Sequence, residues 1–311
     1  MLELTLEGST DDGAGSATIG YRTIEFRDIA LGPSLGSGAF GQVRRGKWHN
    51  SNVAVKIMDY DKDSFEFIAR EAKIMTLLGN HPNVIPFIGM AKEVDKIYLL
   101  TKMCHFGSLY DHFIKKKSTT TDVEFGKIVL QMCYGLDYLH LNQVIHRDVA
   151  ARNYLFDVGQ AVYVADFGMS RVLANREKVQ ATKTQEGPIR WMAPESLGEK
   201  KYSVKSDIYM FGIALWELLA RETPFGDVKN VLDVYELVIK GERPGIPSDT
   251  PEPFQRIMTS CWETNPQDRM NLDDVMGIVR QYAGSLGCDQ IELEKMQKLH
   301  HAFEIVYDQI D

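Results

Sequence analysis

Apolar and polar positions along the chain change period once. From residue 26 to 103 they mostly alternate, which is the signature of half-buried strands. "FRDIALGPSLGSGAFGQVRRGKW" and "NVAVKIMDY" alternate around glycine-rich turns, and "KIYLLTKM" reads as a further strand. One helix interrupts them: Asp63 with Glu66 fits a capping box, and Ile68, Ala72, Met75 and Leu78 follow at helical spacing. From Ser108 onward the period is helical. Asp122 is placed to cap a helix whose Phe125, Ile128, Val129, Met132, Leu136 and Leu139 form one stripe. "SDIYMFGIALWELLA" is apolar nearly all round and predicts a buried central helix. Near the end, Met296, Leu299, Phe303, Val306 and Ile310 repeat at intervals of 3, 4, 3 and 4, an apolar seam on a helix over 289–310. Two heptads are short for a free-standing coiled coil, so the seam needs a cover. Packing on the helical lobe is the plainer cover, and pairing with a second chain the alternative.

The pattern gives an α+β unit: a small β-rich lobe, 26–103, then a larger helical lobe, 104–285. A flexible leader, 1–25, precedes it, and a helical extension, 286–311, follows. Ligand sites favour the cleft between such lobes.

Composition narrows the function classes. Hydrophobic residues at 44% and charged residues at 25% are those of an ordinary globular protein. A net charge of -8 and a pI near 5.6 argue against general binding to nucleic acid or anionic membranes. Cys104, Cys133, Cys261 and Cys288 have neither disulfide nor metal-ligand spacing, which suits a reducing, cytoplasmic setting. The longest apolar run, "FGIALWELLA", is too short to span a bilayer. The acidic, Gly/Ser-rich N-terminus is no signal peptide.

The chemistry lies in a series of short motifs. "GSGAFG", 36–41, fits G-x-G-x-x-G, alone a weak signal. Here a strand rather than a helix follows the glycines, so the loop suits a hairpin folded over phosphates instead of a dinucleotide site. Lys56 ends the strand "VAVK" and, taken alone, reads best as a snorkelling edge lysine. "HRDVAARN", 146–153, "ADFG", 165–168, and "APE", 193–195, then follow in order.

Together these motifs resemble the protein-kinase signature across roughly 26–285. The resemblance implies an ATP-dependent enzyme using Mg2+ or Mn2+ and acting on a protein substrate, without nucleic acid. Phosphoryl transfer concentrates negative charge, so cation and metal placement would carry most of the catalysis. By this likeness Asp148 accepts or orients the substrate hydroxyl, and Asn153 and Asp166 ligate the metal. Lys56 holds the α- and β-phosphates and pairs with Glu71. Gly36, Gly38 and Gly41 cover the phosphates, while Leu35, Val43, Ala54 and Leu155 sandwich the adenine. Thr101 gates the inner pocket, and the backbones of Lys102 and Cys104 meet the adenine edge. Ser108 and Asp111 adjoin the ribose, Glu195 pairs with Arg269, and Asp207 anchors the catalytic loop.

Kinases acting on Ser/Thr usually carry a lysine two residues after the catalytic aspartate. Here that position is Ala150, with Arg152 two further on, and "HRDVAARN" and "PIRWMAPES" are similar to tyrosine kinases. "GKWHNSNVAVKIM" and "HPNVIPFIGM" instead resemble the tyrosine-kinase-like group, many of whose members act on Ser/Thr. Tyrosine or dual specificity is the expectation, and Ser/Thr specificity the alternative. A catalytically dead scaffold would show damage at the lysine, either aspartate or the glycine loop, and all are intact. Between Asp166 and Glu195 the hydroxyls are Ser170, Thr182 and Thr184, with no tyrosine. A phosphate on Thr182 or Thr184 would find Arg147 as a partner. Transient homodimerisation would serve such trans-phosphorylation.

Overall fold

The computed structural model describes residues 21–38, 41–60, 62–173, 180–181 and 188–304. Strands β1 (Ile29–Gly38), β2 (Gly41–Trp48), β3 (Ser51–Asp59), β4 (Phe87–Glu93) and β5 (Lys96–Lys102) form one antiparallel sheet in the order β1-β2-β3-β5-β4. The two-residue period sorts its faces. Val53 and Val55 of β3 join Tyr98 and Leu100 of β5 in a small outer cluster with Ile24 and Ile29. Ala54, Lys56 and Met58 therefore face the other way, towards helix α1 (Lys62–Leu78) and the lobe below. Gly41 opens β2 at φ 122, and any Cβ there would lie 2.2 Å from the Ile57 carbonyl oxygen, so only glycine fits.

The expected ends of two helices move. Helix α1 starts at Lys62, so Asp63 lies inside it rather than capping it. Helix α2 (Asp122–Leu141) is capped by Thr121, not Asp122: Thr121 and Glu124 form a reciprocal capping box, and Asp122 is the first helical residue. Residues 21–25, read as the end of the leader, lie along β4, where Ile24 N donates to Met90 O at 2.8 Å and Met90 N to Arg22 O at 2.9 Å.

Below the sheet, α2 and α4 (Val204–Ala220) form the centre of the large core, with α3 (Pro194–Glu199), α5 (Val231–Ile239), α6 (Glu252–Cys261) and α7 (Leu272–Ser285) around them. The full stripe read on α2 is buried, as is most of α4. Short strands β6 (Val144–Ile145), β7 (Tyr154–Asp157), β8 (Ala161–Val164) and β9 (Arg171–Val172) pair as β6 with β9 and β7 with β8. They frame the loop between Ile145 and Tyr154. All four cysteines are free and buried. No described helix is long and apolar enough to cross a membrane.

The C-terminal helix α8 (Gln290–Glu304) packs on α2 within the same chain. Its inward positions are Leu293, Met296, His300 and Phe303, whereas Leu299 is 48% exposed. The seam read from sequence is thus displaced at one turn, where His300 takes the place assigned to Leu299. Val306 and Ile310 lie outside the described residues. His300 is buried between two lobes' worth of partners. Because His81 Nδ1 accepts the Asn83 N–H at 3.1 Å, its proton sits on Nε2, which points at His300 Nδ1 at 3.4 Å. His300 Nε2 then donates to Asp137 Oδ2 at 3.2 Å. Burial, with His300 adding to it, lowers the His81 pKa to about 3, which keeps the His81 ring neutral.

Candidate active site

Lys56 projects from β3 and donates to both carboxylate oxygens of Glu71, at 2.8 and 3.0 Å, and to Asp166 Oδ1 at 2.9 Å. One ammonium thus serves two carboxylates, and the group carries a net negative charge. Burial alone would lower the Lys56 pKa, but Glu71 and Asp166 outweigh it and hold the lysine charged. Burial likewise works to raise Asp166, yet the Lys56 ammonium prevails and keeps its carboxyl below the usual range. Asp166 has φ 64, a left-handed backbone that costs a non-glycine residue about 1 kcal/mol. The fold accepts that strain at the residue whose side chain meets Lys56.

The loop from His146 to Asn153 is held from beneath. Asp207, fully buried on α4, accepts the backbone N–H of His146 at 2.7 Å and of Arg147 at 2.9 Å, and meets His140 Nε2 at 3.0 Å. Asp207 thereby fixes the backbone just before Asp148. Asn153 Nδ2 donates to Asp148 Oδ2 at 2.8 Å and to its carbonyl at 2.6 Å, and the Arg152 guanidinium pairs with Asp148 Oδ1. Burial raises the Asp148 pKa, and Arg152, His146 and Asn153 offset this only in part.

These residues fit a small, hard cation. The Asn153 amide nitrogen is bonded to Asp148, so its oxygen is the ligand it can offer, while Asp166 keeps 39% of its side chain exposed. Among the described residues no group of three or more His, Cys, Asp or Glu forms a protein-only metal cage. Divalent cations such as Mg2+ are commonly held by one or two protein oxygens together with substrate phosphates and water, and Asp166 and Asn153 could supply such oxygens.

The sheet register gathers the residues expected around a nucleotide. Val43 lies opposite Lys56 and Gly36, Ala54 opposite Thr101, and Gly38 opposite Gly41. Leu35 is 48% exposed on β1. After β5 the chain joins the floor, where Ser108 bridges Leu155 and Phe106 N donates to Phe156 O at 3.1 Å. The Lys102 N–H is bonded to Pro86 O at 3.0 Å. Its side chain turns to Asp157 and Tyr163. Burial pushes the Cys104 thiol up to about 12, which makes it inert. Ser108 Oγ donates to Asp111 Oδ2 at 2.7 Å.

Further out, Arg269 and Glu195 form the expected pair, bidentate at 2.7 Å on each arm, with the Arg269 side chain fully buried. Arg147 is buried over the Tyr202 ring, and among the described residues its Nε and Nη1 find no hydrogen-bond partner. Thr182 and Thr184 lie outside the described residues. Three residues of the site escaped the sequence reading. Asp157 collects Lys102 and His105 behind the linker between lobes. Glu217 on α4 accepts from Ala151 N and from the Trp191 indole, with burial pushing its pKa up to about 7. Trp191 itself carries the Arg152 guanidinium on its ring, 4.5 Å from the centroid. An acid in the middle of an apolar helix, "ALWELLA", was the one available signal for Glu217.

The family model for protein tyrosine and serine/threonine kinases matches residues 29–279. The chain belongs to the protein kinase family. This kinase is 32% identical over 275 residues to the serine/threonine-protein kinase STY46 of Arabidopsis thaliana, covering 88% of the chain and 47% of that protein. It is 32% identical over 276 residues to the tyrosine-protein kinase transforming protein Abl of Abelson murine leukemia virus, covering 87% and 37%. It is 30% identical over 270 residues to fibroblast growth factor receptor homolog 1 of Drosophila melanogaster, covering 80% and 37%. The kinase spans less than half the length of each of these relatives.

Proposed function

We propose that this kinase transfers the γ-phosphate of ATP to a protein hydroxyl, with tyrosine or dual specificity. The observation that carries the reading is Arg152: its guanidinium pairs with Asp148 while lying on Trp191, where the acceptor side chain must enter. A cation there can meet the transferring phosphate from the side of Ala150, which is fully buried and offers no charge. Asp148 accepts the hydroxyl proton as the acceptor oxygen bonds to the γ-phosphorus and ADP departs. Lys56 steadies the α- and β-phosphates, and Glu71 steadies Lys56. Asp166 and Asn153 would hold Mg2+, which supplies neutralisation of phosphate charge when bound. The glycines at 36, 38 and 41 leave room for phosphates under the β1–β2 hairpin, and Leu35, Val43, Ala54 and Leu155 would flank the adenine.

Ser/Thr specificity is the second reading. It draws on the absence of tyrosine between Asp166 and Glu195. Phosphoamino-acid analysis of the self-phosphorylated protein, with parallel assays on tyrosine and Ser/Thr peptides, separates the two. Phosphotyrosine in either assay supports the first reading, and phosphoserine and phosphothreonine alone overturn it.

A further inference from the structure

Arg152 pairs with Asp148 four residues back in the same loop, and its own side chain remains 36% exposed. An arginine has four rotatable side-chain bonds, so an exposed one seldom keeps a single pose without a second support. The support here is the Trp191 ring beneath the guanidinium plane. Trp191 is fixed in turn. Its indole N–H donates to Glu217 Oε2 at 2.7 Å, and the same oxygen accepts the Ala151 N–H at 2.9 Å. Glu217 is 1% exposed and rides on α4, among the most buried helices of the lobe. The turn bearing Trp191 is pinned from its other side, where Arg190 donates to the carbonyls of Pro224, Phe225 and Val228. A closed circuit results: Glu217, Trp191, Arg152, Asp148, and back through the loop backbone to Ala151 and Glu217.

We infer that Trp191 and Glu217 are positioning residues which set the pose of Arg152 against Asp148, so that the catalytic loop and the Ile189–Trp191 turn align only together. This rests on the phosphoryl-transfer reading above and adds a specific consequence. The turn carrying Trp191 directly precedes α3 on the acceptor side of the loop. A change in that turn reaches the proposed proton acceptor through an aromatic face, without touching the nucleotide side. The circuit therefore governs use of the protein substrate and leaves nucleotide affinity alone.

Kinetics and spectroscopy test it. Trp191→Leu should lower kcat for a peptide acceptor about 10- to 100-fold, with KM for ATP held within about twofold. Trp191→Phe keeps a ring face and should recover most of that loss. In a double-mutant cycle, Arg152→Ala combined with Trp191→Leu should be no worse than Arg152→Ala alone, within about twofold. Losses that multiply would overturn the inference, as would a Trp191→Leu defect confined to ATP binding. Melting temperature, recorded for each variant, identifies simple unfolding. A second measurement is independent of turnover. The Trp191 indole N–H resonance, identified by its loss in Trp191→Phe, should shift in Arg152→Ala and in Glu217→Gln. An unmoved resonance overturns the circuit even in an active enzyme. Should the wild type transfer no phosphate, the kinase reading fails while the resonance still decides the coupling.

Discussion

Asp148, the proposed base, sits in a buried site, and burial works against the charge that role needs. The raised pKa follows from that conflict, with Arg152 and Asn153 only partly relieving it. Transfer by an ionised Asp148 should fall as pH drops, and the fall should begin above the ordinary carboxylate range near 4. A pH profile of kcat/KM checks this. Asp148→Asn should cut transfer by about 100-fold or more while ATP still binds, as read by nucleotide titration. Glu217 gives a second pH signature, in stability. Its folded pKa, about 7, lies above the ordinary 4.5, so the fold favours the protonated form. This contribution is fully present below pH 4.5 and is lost as pH rises through about 7, reaching up to about 3 kcal/mol. Glu217→Gln should flatten that part of the curve in denaturant titrations at pH 5 and pH 8.

At the level of elements, periodicity located β1, β2, β3, β5, α1, α2, α4 and α8, whose faces are sorted by burial, and left β4, α3, α5, α6, α7 and the short strands unread. Errors arose where single polar contacts decide. Thr121 outcompetes Asp122 as a cap because its hydroxyl and the Glu124 carboxylate satisfy each other's backbone N–H groups. Helix α8 shows the same limit. A hydropathy seam chooses Leu299, but a histidine with partners on both nitrogens is also a core residue, and His300 takes the inward turn. Phe303 stands edge-on to His81, with ring centroids 5.4 Å apart. Phe303→Asp would drive a charge into that contact. It should lower stability by about 2–3 kcal/mol, seen as a lower melting temperature with unchanged mass in light scattering. A halved mass would instead reveal pairing through this helix.

Across the whole molecule, the order of motifs made the residues of the candidate site legible. Lys56, Glu71 and Asp166 lie far apart in sequence yet bond in one group, and Asn153 bonds Asp148 within the neighbouring loop. What stayed hidden are contacts between segments with no motif of their own: Asp157 behind the linker, Glu217 under the loop, His81 beneath the tail. Each depends on a distance that only the folded chain defines. Glu195 and Arg269 were visible because both sit in recognisable motifs, and their pair ties the start of α3 to the turn before α7. Glu195→Ala would leave a fully buried guanidinium without its carboxylate. It should cost about 3–5 kcal/mol, measured by chemical denaturation.

The family match ends at residue 279, eleven positions before α8 begins. Helix α8 thus lies outside the matched segment, yet it reaches the loop joining α1 to β4 through His81. Removing residues 286–311 would strip the proton relay of its middle member and take His300 and Phe303 away from Tyr134 and His81. Amide exchange over residues 79–85 and along the last turns of α1, the helix that carries Glu71, should then speed up. Inhibitor potencies or turnover numbers from a trimmed chain would describe a looser enzyme than the one drawn here, and comparing exchange in the two lengths would measure how much looser.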